Sequence, residues 1–561
     1  MKYFGHILEY NITPSGVNYN GQAFKTENYI VFFSGRLFNI CNKETHLIES
    51  ETAKTILNLY TTFGTDLLNH IDGSFSLGII DLKAGEVFIA RDRLGTKPIY
   101  YAATDTEYIF ANSIKDILSN SSITPCISKD EICEIFGFGP AHTPGKTFFK
   151  DILQIKPGHY GILNGSGFKE YCYWDLSKQP NADALEENIS KAKDLVISSF
   201  NRDYSLGSAC MLSGGLDSSI LVSLASKETK GLKTYSIDYE NNNINFQGSS
   251  YQPTQDKDFV KIMSDEFSTN HTTFSFTSRE LFNSLYEAML AREMPGMADV
   301  DSSMLLFLKA IKNDGINTIL SGECSDEIFA GYPWYYKEEL MYSYPFPWAK
   351  SLELRENILN TNIVSNEYLE EYVKSKVSNI NGIKDSNLDF ENTFNTNCYN
   401  TIKWFMSCLV ERTERMADYI GIDVRTPFAD YKLFEYVYNI SAKRKLGLES
   451  KDTPVEKHIL RKAFEDMLPE NIVYRKKSPF PKTYDPKYLE LLEKEIKNII
   501  NKSTSPLLEI INVEFLYELL SSHGANLKEN WFGQLMTYPQ TLAYLIQINL
   551  WLTHYNIKIL V

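Results

Sequence analysis

The stretch SACMLSGGLDSSILVSLAS, Ser208 to Ser226, decides how most of this chain is read. Ala209 to Leu212 form a short apolar run suited to a buried strand, and an apolar helical pattern opens at Ile220. Between them lie Ser213, Gly214, Gly215, Leu216, Asp217, Ser218 and Ser219. Glycines let the backbone come close to an anion. The N–H groups and dipole at a helix start favour negative charge there. Ser213, Ser218 and Ser219 add hydroxyl donors, and Asp217 beside such a site makes chemical sense if it holds Mg²⁺. The Walker lysine is absent, which excludes the ordinary P-loop of γ-phosphate hydrolysis. A lone Ser-Gly-Gly turn reads equally well as a plain helix cap. The complete string in this context does not.

Working outward, two more strand-then-helix units follow at LKTYSIDYE (Leu232 to Glu240) and GINTILSGECSDEIFAGY (Gly315 to Tyr332). Strands alternating with helices predict a parallel sheet of the nucleotide-binding α/β kind. A helix is expected from about Ala184 to Asn201, and long helical patterns dominate from about Tyr336, with a surface loop in the polar region between Glu367 and Asn397. The first third reads differently. YIVFFSGRLFNI, FSLGIIDL, EVFIAR and PIYYAAT are aromatic and β-branched strand runs, LKAGE (Leu82 to Glu86) is a hairpin turn, and TAKTILNLYTTFGTDLLNHI is helical with Ile56 and Leu57 on its apolar side. This mixture predicts a layered α+β domain. The polar, Pro-containing YCYWDLSKQPNADAL (Tyr171 to Leu185) is the linker, giving expected domains at 1–178 and 185–561.

Composition agrees with two folded domains. The 561 residues are 43% hydrophobic and 23% charged, which excludes a disordered, collagen-like or coiled-coil chain. Lysine and arginine number 56 against 71 acidic residues, so no basic footprint suggests nucleic acid. The 8 cysteines include no CxxC pair, which argues against a zinc ribbon or dithiol site and suits a reducing cytoplasm. MKYFGHILEY lacks the layout of a signal peptide. The C-terminal LAYLIQINLWLTHYNIKILV is too interrupted by polar residues for a membrane span and reads as a buried helix with a final strand or tail.

SGGLDSS resembles the pyrophosphate loop of the ATP pyrophosphatases. Leu320 to Tyr332 again sets small residues and carboxylates after a strand. Taken alone, Asp326 and Glu327 would be an acidic helix start. Together the two segments resemble the synthetase half of class B, glutamine-hydrolysing asparagine synthetases. The resemblance continues through PGMADVDSS (Pro295 to Ser303), GIDVRTPFAD (Gly421 to Asp430), EKHILRKAF (Glu456 to Phe464), YRKKSPFPKT (Tyr474 to Thr483) and WFGQLMTYPQTLAYL (Trp531 to Leu545).

It implies a parallel-sheet ATP pyrophosphatase domain with a helical extension, following an Ntn-hydrolase-like αββα sandwich. It implies ATP and Mg²⁺ as cofactors, a carboxylate substrate, an acyl adenylate with PPi release, and a cytoplasmic enzyme that can form a homodimer. Residue by residue, Asp217 and Asp326 match the Mg²⁺ ligands. Ser213, Gly214, Gly215, Leu216, Asp217 and Ser218 match the pyrophosphate loop, and Leu212, Ile237, Ser321 and Gly322 match the adenosine contacts. Glu323 matches a glutamate tied to the attack of the amine on the adenylate. Lys477 matches the lysine that contacts the phosphates. Mg²⁺ and a lysine offset the negative charge of such transition states, and an attacking amine needs a base.

The N-terminal third resembles the family's glutaminase domain through ARDRLGTKPIYY (Ala90 to Tyr101), IFANSIKDI (Ile109 to Ile117) and KDILQIKPGHY (Lys150 to Tyr160). It departs from it where glutamine is cut. The working glutaminase has a cysteine directly after the initiator methionine as nucleophile. Lys2 stands there, and no cysteine precedes Cys41. The segment between Tyr10 and Tyr29 is short, the family's oxyanion asparagine reads Ser34, a substrate-binding glutamate reads Arg36, and an aspartate reads Glu51. The expectation is a degenerate glutaminase, as in the related β-lactam synthetases, with ammonia or a substrate amine as nitrogen donor. A specialised-metabolite or peptide carboxylate is favoured over the alternative, ammonia-dependent synthesis of asparagine from aspartate. The competing readings are a non-catalytic scaffold, opposed by intact Asp217, Asp326, Glu323 and Lys477, and a tRNA-thiolation type of ATP pyrophosphatase, opposed by the missing basic face and paired cysteines.

Overall fold

The computed structural model describes residues 7–11, 17–20, 23–45, 49–105, 107–248, 254–377, 390–527, 530–533 and 538–561. Lys2, part of the short segment between Tyr10 and Tyr29, the middle of the polar region after Glu367, and Gln534 to Thr537 lie outside the described residues. The chain divides into two compact units. The first takes Met1–Glu131, His142–Leu176 and Ile557–Leu560, and the second takes Ile132–Ala141, Ser177–Asn556 and Val561.

The first unit is built on two antiparallel sheets. One joins Ile152–Gln154, Tyr100–Ala103, Glu107–Ala111, Ile7–Asn11 and Val17–Asn20 in that order. The other joins Gly167–Cys172, His159–Asn164, Glu86–Arg91, Ile71–Asp81, Tyr29–Ile40 and Phe24–Lys25. Strand Tyr29–Ile40 explains the layering. Successive side chains point to opposite faces of a strand. Val31 and Phe33 therefore join the core under helix Glu49–Phe63, with Ile56, Leu57 and Phe75. Ile30 and Phe32 join a second core with Val87, Phe110 and Ile155. The hairpin expected at Leu82 to Glu86 forms because Asp81 Oδ1 accepts from Lys83 N (2.9 Å) and Ala84 N (2.8 Å) while Gly85 adopts φ +66°.

Two segments join the unit other than that of their neighbours in sequence, and one of them is the final strand expected after the C-terminal helix. Strand Lys558–Leu560 pairs in parallel with Cys126–Ser128 of the first unit. Segment Ile132–Ala141 belongs to the second, where Tyr544 Oη donates to Ile135 O (2.8 Å) and Gly139 O (3.1 Å).

The second unit carries a five-stranded sheet of β1 (Ala209–Met211), β2 (Lys233–Tyr239), β3 (Asn270–Phe276), β4 (Thr318–Leu320) and β5 (Asp423–Arg425). The order is β3-β2-β1-β4-β5 and every pairing is parallel. Its helices include α1 (Leu185–Asp203), α2 (Leu216–Glu228), α3 (Asp256–Glu266), α4 (Asp299–Asn313) and α5 (Ser407–Ile420). β1 has the next strand in sequence on one side and β4 on the other, so the order reverses between them. In open α/β sheets ligands bind outside the strand C-termini at such a switch point. Both motif loops leave the sheet there. β4 is followed by one helical turn, Ser325–Ile328, and not by the full helix of a repeated βα unit. Cys324 (φ +72°) and Ala330 (φ +61°), then Pro333, break the helix on either side. Among the described residues no helix is long and apolar enough to cross a membrane.

Candidate active site

The loop Ser213–Ser218 is shaped from within. Gly214 takes φ +67°, and a Cβ there would lie 2.5 Å from Phe259 Cβ and 2.8 Å from Val260 N, so only glycine fits. Ser218 Oγ donates to Gly215 O (3.2 Å) and accepts from Ser213 N (3.2 Å), folding the loop over the start of α2. Arg475 clamps it from outside, donating to Ser213 O (2.9 Å), pairing with Asp256 and stacking over Phe259 at 4.0 Å. The second loop meets the first at Gly322, where a Cβ would stand 2.9 Å from Ser218 N.

Charge converges where the loops meet. Lys457 Nζ lies 2.6 Å from Asp217 Oδ2 and 2.6 Å from Asp326 Oδ1. Lys477 Nζ takes the other Asp326 oxygen at 2.8 Å. Ser325 Oγ donates to Asp217 Oδ1 (2.7 Å). Burial alone would push the Asp326 carboxyl up, but Lys457 and Lys477 hold it down at about 2. Burial would likewise lower the Lys457 ammonium, and Asp217 and Asp326 raise it instead. Geometry is forced here too. A Cβ at Gly331 would come 1.9 Å from Asp326 Oδ1 and 2.5 Å from Lys457 Cε, and Lys457 itself sits at φ +57°. Strained backbone of this kind gathers at functional sites.

Glu323 is held at the same corner. Arg412 pairs with Oε1, while Oε2 accepts from Thr413 Oγ1 (2.7 Å) and Ser321 Oγ (3.3 Å). A cavity of about 540 Å³ opens over the C-terminal ends of β1, β2 and β4. Its wall takes in all the residues expected from the sequence except Gly214, Gly215 and Leu216. The two glycines shape the loop from behind, and Leu216 is buried. Lys457, Arg412, Thr413 and Arg475 were not singled out from the sequence. Lys457 and Arg475 stand inside the quoted segments EKHILRKAF and YRKKSPFPKT, so a charged residue in each motif was the available signal.

Two family models match the chain. One described as asparagine synthase covers residues 205–553, and one described as a glutamine amidotransferase domain covers residues 17–174. The chain belongs to the class B asparagine synthetase family. A relative named asparagine synthetase [glutamine-hydrolyzing] 3 of Bacillus subtilis is 36% identical over 96% of this chain and 89% of its own length. Asparagine synthetase 1 of the same organism is 24% identical over 91% of this chain and 84% of its own. The root asparagine synthetase of Pisum sativum is 24% identical over 83% and 66%. The family is one of ATP-dependent, amide-forming carbon–nitrogen ligases, and this chain is an enzyme of that ligase type.

The amidotransferase domain of this family member is tied up internally. Asp92, after strand Glu86–Arg91, accepts from the backbone N–H groups of Phe75, Leu94, Thr96 and Lys97 and from Thr96 Oγ1. Arg91 bonds Gln154, Ile155 O and Gly95 O, and Arg93 bonds Ile71 O and Leu68 O. Ser34 and Arg36 lie on strand Tyr29–Ile40 opposite Ser76 and Ser74. A cavity of about 20 Å³ borders Ser34, and the Arg36 guanidinium lies over the Phe38 ring at 5.3 Å.

Proposed function

We propose that the chain uses ATP to adenylate a carboxylate and then joins the acyl group to ammonia or to a substrate amine, without hydrolysing glutamine itself. The carrying observation is the cluster at the switch point, where Lys457 bridges Asp217 and Asp326 and Lys477 takes the remaining Asp326 oxygen. The two carboxylates converge on one cationic centre. Such a pair suits Mg²⁺, which commonly takes one or two carboxylates and completes its shell with phosphate and water oxygens. Asp217 and Asp326 would hold the ion, which when bound would neutralise phosphate charge.

In the adenylating step a carboxylate oxygen bonds to the α-phosphorus, the bond to the bridging oxygen breaks, and PPi leaves. The loop Ser213–Ser218 holds the leaving group, Leu212, Ile237, Ser321 and Gly322 border the nucleoside, and Lys477 offsets charge at the α-phosphate. The amine then bonds to the acyl carbon, the carbon–oxygen bond breaks, and AMP leaves. Glu323 orients the amine and takes its proton.

The functional division we assign is 1–178 for the non-hydrolytic domain and 185–561 for the synthetase. Ser34 and Arg36 at the family's oxyanion and glutamine positions support the loss of glutaminase activity. A specialised-metabolite or peptide carboxylate is the favoured acid, and the names of the relatives support aspartate as the second. Family resemblance suggests a cytoplasmic homodimer.

Exchange of labelled PPi into ATP, with Mg²⁺ and a panel of carboxylates that includes aspartate and peptide acids, tests the reading. Exchange that depends on an acid supports it. ATP binding without exchange for any acid would favour the scaffold reading.

A further inference from the structure

Most cations along the cavity already have a carboxylate. Lys477 pairs with Asp326, Arg412 with Glu323 and Lys261 with Asp265. Lys257 is exposed to solvent in the first turn of α3. Lys482 differs from all of these. It lines the same cavity and is only partly exposed, yet among the described residues its ammonium group has no hydrogen bond and no ion pair. It stands 5.3 Å over the Tyr484 ring. Burial lowers the ammonium, and the Asp299 carboxyl pulls it back up. Asp299 is itself buried and does not border the cavity. A cation taken partly out of water without a paired anion is costly, and such groups gather in clefts that bind ligands.

The backbone fixes where Lys482 stands. Asn242, past the end of β2, donates from Nδ2 to Lys482 O (3.0 Å) and accepts at Oδ1 from Tyr484 N (2.9 Å). The segment held this way is the one that carries Lys477, five residues earlier.

The charges of the two substrates narrow the anion that fits. Adenosine is neutral. On the adenylating reading, the phosphates meet the loop Ser213–Ser218, Mg²⁺ and Lys477, and the reacting carboxylate goes to the α-phosphorus. The charge left for Lys482 is a further one on the acid.

We propose that Lys482 selects the acid by receiving a second carboxylate on it, so that dicarboxylates are adenylated in preference to monocarboxylates. The inference rests on the adenylating reading above and adds the residue that discriminates among acids.

PPi exchange with the full chain reads it out on matched pairs: aspartate against 3-aminopropanoate, glutamate against 4-aminobutanoate, and the N-glycyl form of each. The members of a pair differ by one carboxylate. The expected result is a kcat/KM at least about 10-fold higher for the dicarboxylate, the worth of a charge-assisted hydrogen bond. Equal values within the pairs, or exchange with monocarboxylates alone, overturns this inference and leaves adenylation standing. No exchange with these acids or any other of the carboxylate panel overturns adenylation itself. K482M keeps the side-chain stem and removes the charge. It should raise KM for the dicarboxylate about 10-fold or more and leave KM for ATP unchanged. Unaltered acid kinetics in K482M, or a rise in KM for ATP instead, would overturn the assignment of Lys482.

Discussion

Asp326 and Asp92 are recessed carboxylates that each follow a strand, one in each unit, and they hold opposite kinds of partner. Asp92 accepts from backbone N–H groups of its own loop and of Phe75, so its charge is fixed into the fold. Asp326 is met by the ammonium groups of Lys457 and Lys477, which arrive from more than a hundred residues away at the edge of a large cavity. A carboxylate closed by backbone cannot exchange its partners without unfolding the loop. One closed by side-chain ammonium groups can exchange them for a ligand. On the proposed function, the same residue type serves architecture in the first unit and chemistry in the second.

The comparison is broken most directly at the second unit. K477A, at a partly exposed lysine, should lower acid-dependent PPi exchange by about 10²-fold or more while circular dichroism and the melting transition stay near wild type. A melt that collapses together with the activity would make Lys477 a structural partner of Asp326 and not a group that meets the phosphates.

The reciprocal change is D92A. It removes a buried acceptor of five hydrogen bonds and should cost the first unit about 3 kcal/mol or more, read as an earlier melting transition, with PPi exchange per folded molecule little changed.

Asp299 sharpens the point with a smaller effect. Burial pushes its carboxyl up to about 7, against the pull of Gln540 and Lys482, whereas Asp326 with its two lysines is held near 2. A raised acid favours the protonated fold. Its contribution is complete below the ordinary value of 3.8 and is lost as pH rises through about 7. D299N, which keeps an acceptor for Gln540, should flatten stability between about pH 4 and 7 and gain about 1–3 kcal/mol at pH 8 in denaturant titrations. A pH profile identical to wild type would place the charge outside the core.

Much of this was legible in SGGLDSS and SGECSDE, because a strand, a glycine turn and a helix start are local features whose chemistry travels with them. The rest depends on distance in sequence. Lys457 is 240 residues from Asp217 and in left-handed backbone, and neither property has a local signal. Arg412 and Thr413 sit on a helix whose other residues look like ordinary core and surface. β3, Asn270–Phe276, reads NHTTFSF, and its polar residues masked a strand that, among the described residues, pairs with β2 alone. β5 is three residues long and recruited by tertiary pairing to β4. In the first unit, the alternation of Tyr29–Ile40 was readable, but its use as a two-faced layer was decided by the helix and second sheet that cover it.

The central claim is that amide synthesis in the second unit draws no nitrogen from glutamine cut by the first. One experiment addresses it. The intact chain, ATP, Mg²⁺ and an acid that supports PPi exchange are supplied either with ammonium chloride or with glutamine, and AMP, amide and glutamate are followed together. The account predicts AMP and amide with ammonium, or with the matching amine, and no glutamate above the enzyme-free control. Glutamate appearing from glutamine in step with AMP would contradict it.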